Sequence, residues 1–162
     1  MGVSSTRGLS GEVRQRCELV WEPTGEDSRV FPFELHVRVR FAETDAMGVV
    51  HHAAYLPYLE AARVEYLRHL GHPYAALRDV DGVDFVVVGV RLDYHRPAHF
   101  DDELIVRAGL ATLTKARFTM RYRVERAGES IASGETDHAV IERASGRPAR
   151  VPAWMRDVGL VG

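Results

Sequence analysis

The sequence predicts an α+β domain in which a curved antiparallel sheet of about five strands wraps one long central helix. Three observations predict it. Residues 33–41 alternate apolar and polar without a break, residues 54–70 repeat with helical period, and from Phe85 to Glu142 the period returns to two. The helical segment is more apolar than an exposed helix needs, so it must be enclosed, and a long one-sided sheet is the surface that encloses it.

Residues 1–30 read as an N-terminal extension and residues 31–162 as a single domain. Met1 to Gly11 is rich in Ser and Gly, with nothing to bury, and reads as a flexible start. Glu12 to Trp21 alternates weakly, as a short strand does, and Glu22 to Ser28 is a polar connector. The first firm strand places Phe33, Leu35, Val37, Val39 and Phe41 on its inner face, and Glu34, His36, Arg38 and Arg40 on its outer face.

Pro57 lacks an N–H and clashes with the carbonyl four residues back, so a helix running through it starts no earlier than about Ala53. That leaves Asp45 to His52 as a loop. At 100° per residue Tyr55, Leu56, Tyr58, Leu59, Ala62, Tyr66, Leu67 and Leu70 fall on one broad arc, and Gly71 with Pro73 ends the helix. Pro73 to Val80 predicts a short second helix, followed by a turn at Asp81-Gly82. Strands follow over 85–94, 103–112, 116–126 and 130–142. The third of these turns Phe118, Met120, Tyr122 and Val124 inward, and Ala127-Gly128-Glu129 is a hairpin turn. A sheet of this length has open edges, which pair with a second copy; the expectation is a dimer with a continuous sheet.

Composition narrows the function classes. A net charge of −2 and a pI of about 6.4 supply no basic field for nucleic acid or an anionic membrane. The single cysteine, Cys17, excludes an internal disulfide and reads as a small buried hydrophobe. The sequence holds no apolar run fit for a signal peptide or a membrane span, and the expected location is cytoplasmic.

The chemistry is expected in Thr44 to Pro57. Asp45 sits just ahead of a helix N-terminus, whose unpaired N–H groups favour negative charge, and that pairing suggests acyl transfer. On the residues alone the ordinary reading of Asp45 is a loop Asp in an Asx turn. No metal site is expected: the adjacent His51 and His52 point in different directions, and no HxxxH or Cys partner completes a set. Glu60 and Arg63, three apart at the margin of the apolar arc, read as an internal ion pair. Tyr55 and Tyr58 read as core or pocket lining, and Arg117, Arg121 and Arg123 as the solvated face of a strand.

The run Arg38-Val39-Arg40-Phe41-Ala42-Glu43-Thr44-Asp45-Ala46-Met47-Gly48-Val49-Val50-His51-His52, with Tyr55, Tyr58, Glu60-Ala61-Ala62-Arg63 and Glu65, resembles the hotdog-fold acyl-CoA thioesterases of the 4-hydroxybenzoyl-CoA thioesterase type. The likeness runs from about Phe33 to Trp154. It implies a hotdog fold and hydrolysis of an acyl-CoA or acyl carrier protein thioester, with no bound cofactor. The expected assembly is a homodimer or a homotetramer, and the residues leave the choice between them open. Carried over residue by residue, it implies that Asp45 is the catalytic acid, attacking the thioester or activating water. It gives the His52 backbone N–H the role of polarising the thioester oxygen, with the imidazole as a further participant.

Gly48 then lets the backbone pass close to the thioester, Val49 and Tyr55 line the acyl site, and Lys115 and Arg147 contact CoA phosphates, with Arg117 and Arg150 nearby. The chain departs from the family at Ala53-Ala54, where Asn is common, and at Ala116, where Ser is common. The competing readings are a non-hydrolytic acyl-CoA-binding or regulatory protein, for which a carboxylate beside the thioester has no use, and a hydratase, whose Asp and His motif is missing.

Overall fold

The computed structural model describes residues 31–161, so the strand expected over 12–21 and the flexible start lie outside the described residues. Five strands form one antiparallel sheet: β1 (Phe33–Arg38), β2 (Val83–Tyr94), β3 (Glu103–Leu113), β4 (Arg117–Arg126) and β5 (Glu129–Glu142). Their spatial order is β1-β3-β4-β5-β2, which leaves β1 and β2 as the two edges. The long helix α1 (Tyr55–His69) packs across β1 and β3.

The sheet curves because its ladders slip. One residue is out of register in each of three strands: Val88 of β2, Ala111 of β3, and Ile131 of β5, opposite the step from Val124 to Glu125 of β4. Such bulges bend and twist a sheet, and here they close it round the helix. Inward-facing Leu104, Val106, Ala108 and Leu110 of β3 and Phe118, Met120, Tyr122 and Val124 of β4 are buried, as are Tyr58, Leu59, Ala62, Tyr66 and Leu67 of α1. Each large apolar side chain of this set contributes roughly 1.5–3 kcal/mol by leaving water. The β4–β5 hairpin turns on Ala127 (φ 49°) and Gly128 (φ 82°), the two left-handed residues of a turn whose twist matches its strands.

Three expectations change. The first strand stops at Arg38, and Phe41, expected to face inward, lies in a 3₁₀ turn (Phe41–Glu43) and is 76 % exposed. The cause is local: the Glu43 carboxylate accepts the Arg40 N–H at 2.8 Å and the Arg40 guanidinium at 2.6 and 2.8 Å, drawing the chain off the sheet. Phe41 packs instead edge-on against Phe100. Leu56, expected in the enclosed arc, is 41 % exposed, while Arg63 takes a buried place on the helix. The second helix is one α-turn, α2 (Tyr74–Ala76), followed by a wider turn (Leu77–Asp81) that Gly82 ends at φ 66°. Among the described residues no helix is long and apolar enough to cross a membrane.

Candidate active site

Asp45 stands at the base of a tight loop. Its N–H donates to the Val49 carbonyl and its carbonyl accepts the Gly48 N–H, both at 2.9 Å, while Thr44 and Val50 form an antiparallel bridge below. The loop closes only because Gly48 adopts φ +75°, as a three-residue hairpin loop ending in a left-handed residue requires. An added Cβ on Gly48 would meet nothing within 4 Å, so within the chain the glycine serves the turn and not a close approach. The Met47 N–H donates to Asp45 Oδ1 at 2.8 Å. The side chain therefore makes the Asx turn that its type favours, and Oδ2 accepts no hydrogen bond among the described residues.

The chain then turns into the helix through a 3₁₀ turn, His52–Ala54, which runs directly into α1. At such an entry the first N–H groups lack helical partners. Here the Ala53 N–H donates to His51 Nδ1 at 3.2 Å and the Ala54 N–H to the His51 carbonyl at 2.8 Å. The His52 N–H donates to no group among the described residues. The two imidazoles were expected to diverge; instead their centroids lie 4.1 Å apart, because His51 turns back to cap the helix. Among the described residues no group of three or more His, Cys, Asp or Glu side chains is placed to hold a metal.

Asp45, Val49, His52 and Tyr55 line one open cavity of about 380 Å³, with Tyr94 and Arg96 on its far wall. The Tyr94 hydroxyl donates to the His52 carbonyl at 3.0 Å and its ring packs against Tyr55, so the end of β2 fixes the helix start. Burial raises the Tyr55 and Tyr94 hydroxyls above the ordinary tyrosine range, so both stay protonated donors.

Sequence reasoning gave Glu43 no role, yet it organises the approach to Asp45. Besides Arg40 it accepts the Tyr58 hydroxyl at 2.6 Å, and its backbone carbonyl accepts the His51 N–H at 2.8 Å. Its partial burial would raise the carboxyl, but the hydrogen bonds from Arg40 and Tyr58 outweigh this and hold it below the usual range. Tyr58 is pushed well above the ordinary tyrosine value by burial and by this carboxylate. Neither Glu43 nor Tyr94 carries a spacing signal; each is recognisable only once its partner is in place.

Lys115 and Arg147 lie elsewhere. Lys115 is exposed in the β3–β4 turn, where its carbonyl accepts the Val151 N–H, and this brings Arg150 and Arg117 close to it. Arg147 is exposed on the return after β5, its carbonyl accepting the Glu142 N–H. Tyr94 pairs with Ala132 of β5, whereas Arg117 pairs with Ala139, seven residues on; at about 3.3 Å per residue the two ends stand about 23 Å apart. Within one chain, then, the basic cluster and the Asp45 cavity do not meet. On the outer face Arg121 pairs with Glu135 at 2.8 Å and Arg123 lies over Phe31, while Arg63 reaches Glu60 at 3.6 Å.

Several known proteins share this architecture. An acyl-CoA thioesterase, YbgC of Haemophilus influenzae, is 32 % identical over 120 residues, which cover 74 % of this chain and 88 % of that protein. The crystal structure of a hypothetical protein from Thermus thermophilus is 41 % identical, with a TM-score of 0.73 over 79 % of this chain and 98 % of the other. One from Aquifex aeolicus is 35 % identical, with a TM-score of 0.73 over 78 % and 98 % of the two chains. The sequence profile of the thioesterase-like superfamily matches residues 39–158, from the last inward residue after β1 to the C-terminal turn, and the chain belongs to that family of hotdog-fold thioester hydrolases.

Proposed function

We propose that this protein hydrolyses acyl-CoA thioesters, with Asp45 as the catalytic carboxylate and the His52 N–H as the oxyanion donor. The observation that carries the reading is the pairing, in one cavity, of an Asp45 oxygen without a hydrogen bond and a helix-entry N–H without an acceptor. In the reaction the Asp45 carboxylate attacks the thioester carbon, or takes a proton from the water that does. The carbonyl electron pair moves onto oxygen, where the His52 N–H holds it, and returns as the C–S bond breaks and the thiolate leaves. Where Asp45 itself attacks, water then cleaves the resulting Asp45–acyl anhydride, which releases the acid and restores the carboxylate. One such donor is worth on the order of 3 kcal/mol of barrier. Val49 and Tyr55 line the acyl side. The relative named as an acyl-CoA thioesterase supports CoA as the thiol.

The basic cluster enters through assembly. β2 is a free edge, with Val86, Val87, Val88 and Val90 between 40 and 49 % exposed, and a second copy pairing antiparallel there would continue the sheet. Antiparallel pairing sets the Lys115 end of one copy beside the Asp45 end of the other. Lys115 and Arg147 would thereby hold phosphates of a CoA whose thioester lies at the other subunit's Asp45. A CoA substrate and a lone cysteine both suit the cytoplasm.

Replacing Asp45 with Asn tests the reading, since Asn keeps the Asx turn and removes the charge. We expect kcat for acyl-CoA to fall at least ~10²-fold with little change in KM. Turnover at the wild-type rate would refute the assignment.

A further inference from the structure

A second cavity of about 170 Å³ lies under α1, beyond the thioester site. Leu56, Leu59, Glu60 and Arg63 line it from the helix, and Val87 and Val90 from β2. These helix positions continue the stripe that begins at His52 and Tyr55. At about 1.5 Å per residue, Leu56 stands about 6 Å and Arg63 about 16 Å along the helix from His52. The strand wall runs the same way, from Tyr94 at the thioester site down to Val90 and Val87. The cavity thus lies in the direction that an acyl group bound at Asp45 takes when it extends along the helix.

The floor of the cavity is polar. Arg63 is 4 % exposed and His138 not at all, yet Arg63 Nη1 and His138 Nδ1 have no hydrogen-bond partner among the described residues. A chain of contacts fixes which way His138 points its proton. The Tyr122 hydroxyl meets Thr136 Oγ1 at 3.1 Å, and Thr136 Oγ1 meets His138 Nε2 at 2.8 Å. Run in the sense that satisfies every hydroxyl hydrogen, Tyr122 donates to Thr136 and Thr136 donates to Nε2, so the ring proton sits on Nδ1.

Burial first, and the Arg63 charge second, depress His138 to about 4, so the imidazole is neutral at physiological pH. Both residues line the cavity, so two N–H groups without an acceptor among the described residues lie just beneath its floor, one of them on a cation. Glu60 reaches the Arg63 guanidinium only at Nη2, at 3.6 Å, and its own side chain is 70 % exposed. The guanidinium also lies over the Tyr74 ring, 5.5 Å from its centroid. A buried guanidinium with an unpaired N–H matches a carboxylate, which accepts two parallel bonds, better than a neutral hydroxyl.

We propose that this cavity is the far-end subsite for the acyl group, and that Arg63 and His138 select thioesters whose acyl chain ends in a carboxylate. The proposal rests on the acyl-CoA reading above and names the substrate class within it. Apolar Leu56, Leu59, Val87 and Val90 pass the methylenes, and the two donors receive the terminal oxygen atoms.

Binding to the Asp45→Asn protein tests this without consuming the ester. Titration calorimetry compares adipoyl-, suberoyl- and sebacoyl-CoA with hexanoyl-, octanoyl- and decanoyl-CoA. We expect at least one carboxyl-ended ester to bind ten times more tightly than its methyl-ended counterpart. Added Arg63→Met should bring that ratio to about one, Arg63→Lys should keep part of it, and His138→Leu should lower it several-fold, each with octanoyl-CoA still binding. Should Arg63→Met not fold, Arg63→Lys and His138→Leu carry the comparison. Equal binding of the two series at every length, or tighter binding of a hydroxyl-ended chain, overturns the proposal. The underlying reading fails by a different result, the absence of thiol release from any acyl-CoA by the wild-type protein.

Discussion

The Glu43 carboxylate accepts the Tyr58 hydroxyl at 2.6 Å, tying the segment just before Asp45 to the first full turn of α1. The same carboxylate holds Arg40, and the Glu43 carbonyl holds the His51 N–H. The Asp45 loop and the helix entry at His52 are thus referenced to one residue. Tyr58→Phe should cost about 1–3 kcal/mol of stability, because the half-buried carboxylate loses a charge-assisted partner. It should also lower kcat more than it raises KM, since the two reacting groups lose alignment. Denaturant unfolding together with steady-state kinetics checks both; a variant equal to wild type in both would remove Glu43 from the positioning of the site.

The same residue sets an acid limit. Its folded carboxyl lies below the free value of 4.5, so the stability it contributes is present above that value and is lost as pH falls through the lower folded value. Glu43→Gln should be less stable than wild type at neutral pH by about 1–3 kcal/mol. The gap should narrow below pH 4.5, as followed by denaturant midpoints across an acid series. A gap independent of pH would show that the charge of Glu43 is not what stabilises this corner.

Gly48 separates two explanations of the same glycine. If the turn requires it, Gly48→Ala pays the left-handed penalty of about 1–2 kcal/mol, and Gly48→Asn, which tolerates that region better, loses less. The space around it is open, so a clash adds nothing. If instead it provides clearance for substrate, Gly48→Ala keeps its stability and raises KM. Thermal unfolding and KM measured on the same variants decide between them, and the turn geometry predicts the first outcome.

What was legible in the sequence follows from how local each cause is. β4 reads directly as Phe118, Met120, Tyr122 and Val124 alternating with outward residues, and all four are buried. Alternation is a property of neighbours. Phe41 continued that alternation and still left the sheet, because Glu43, two residues on, captured Arg40. Asp45 was visible through a resemblance and through its place before Pro57, yet its Asx turn also satisfies the ordinary reading of a loop Asp. Arg63 was read with Glu60 as an ion pair on the margin of the helix. Its burial depends on β5, whose register sets Thr136 opposite Met120 and His138 opposite Phe118. That register is set by the hairpin turn together with the bulge at Ile131, which alternation alone does not reveal, and a one-residue slip would reverse the face.

Lys115 tests the assembled site rather than the isolated chain. It stands about 23 Å along the sheet from the Asp45 end, and the proposed dimer brings Lys115 of a second copy to that end. Lys115→Ala should raise KM for acyl-CoA several-fold and leave KM for short acyl-pantetheine thioesters, which lack the nucleotide, unchanged. Equal effects on the two substrates would take Lys115 out of phosphate binding. Dilution adds a second arm: activity should fall with dissociation to monomer, as sedimentation velocity reports.

His138 predicts a distinct pH dependence from the core. It is fully buried against Phe118, with ring centroids 4.6 Å apart, and burial lowers it from 6.5 to about 4. Above pH 6.5 both the folded and unfolded chains hold it neutral, and it adds no pH dependence. As pH falls from 6.5 towards 4 the unfolded chain takes up the proton first, so the folded state loses stability through this window, and below about 4 the loss levels off. His138→Leu cannot take up that proton, although it strips Thr136 of a partner and should cost about 1–3 kcal/mol at neutral pH. The stability difference between wild type and variant should therefore shrink between pH 6.5 and 4 and hold constant above. Parallel urea titrations of the two proteins across that range measure it. A difference that stays flat through the window would mean that the folded core takes up the His138 proton as readily as the unfolded chain, so that burial does not hold the imidazole neutral.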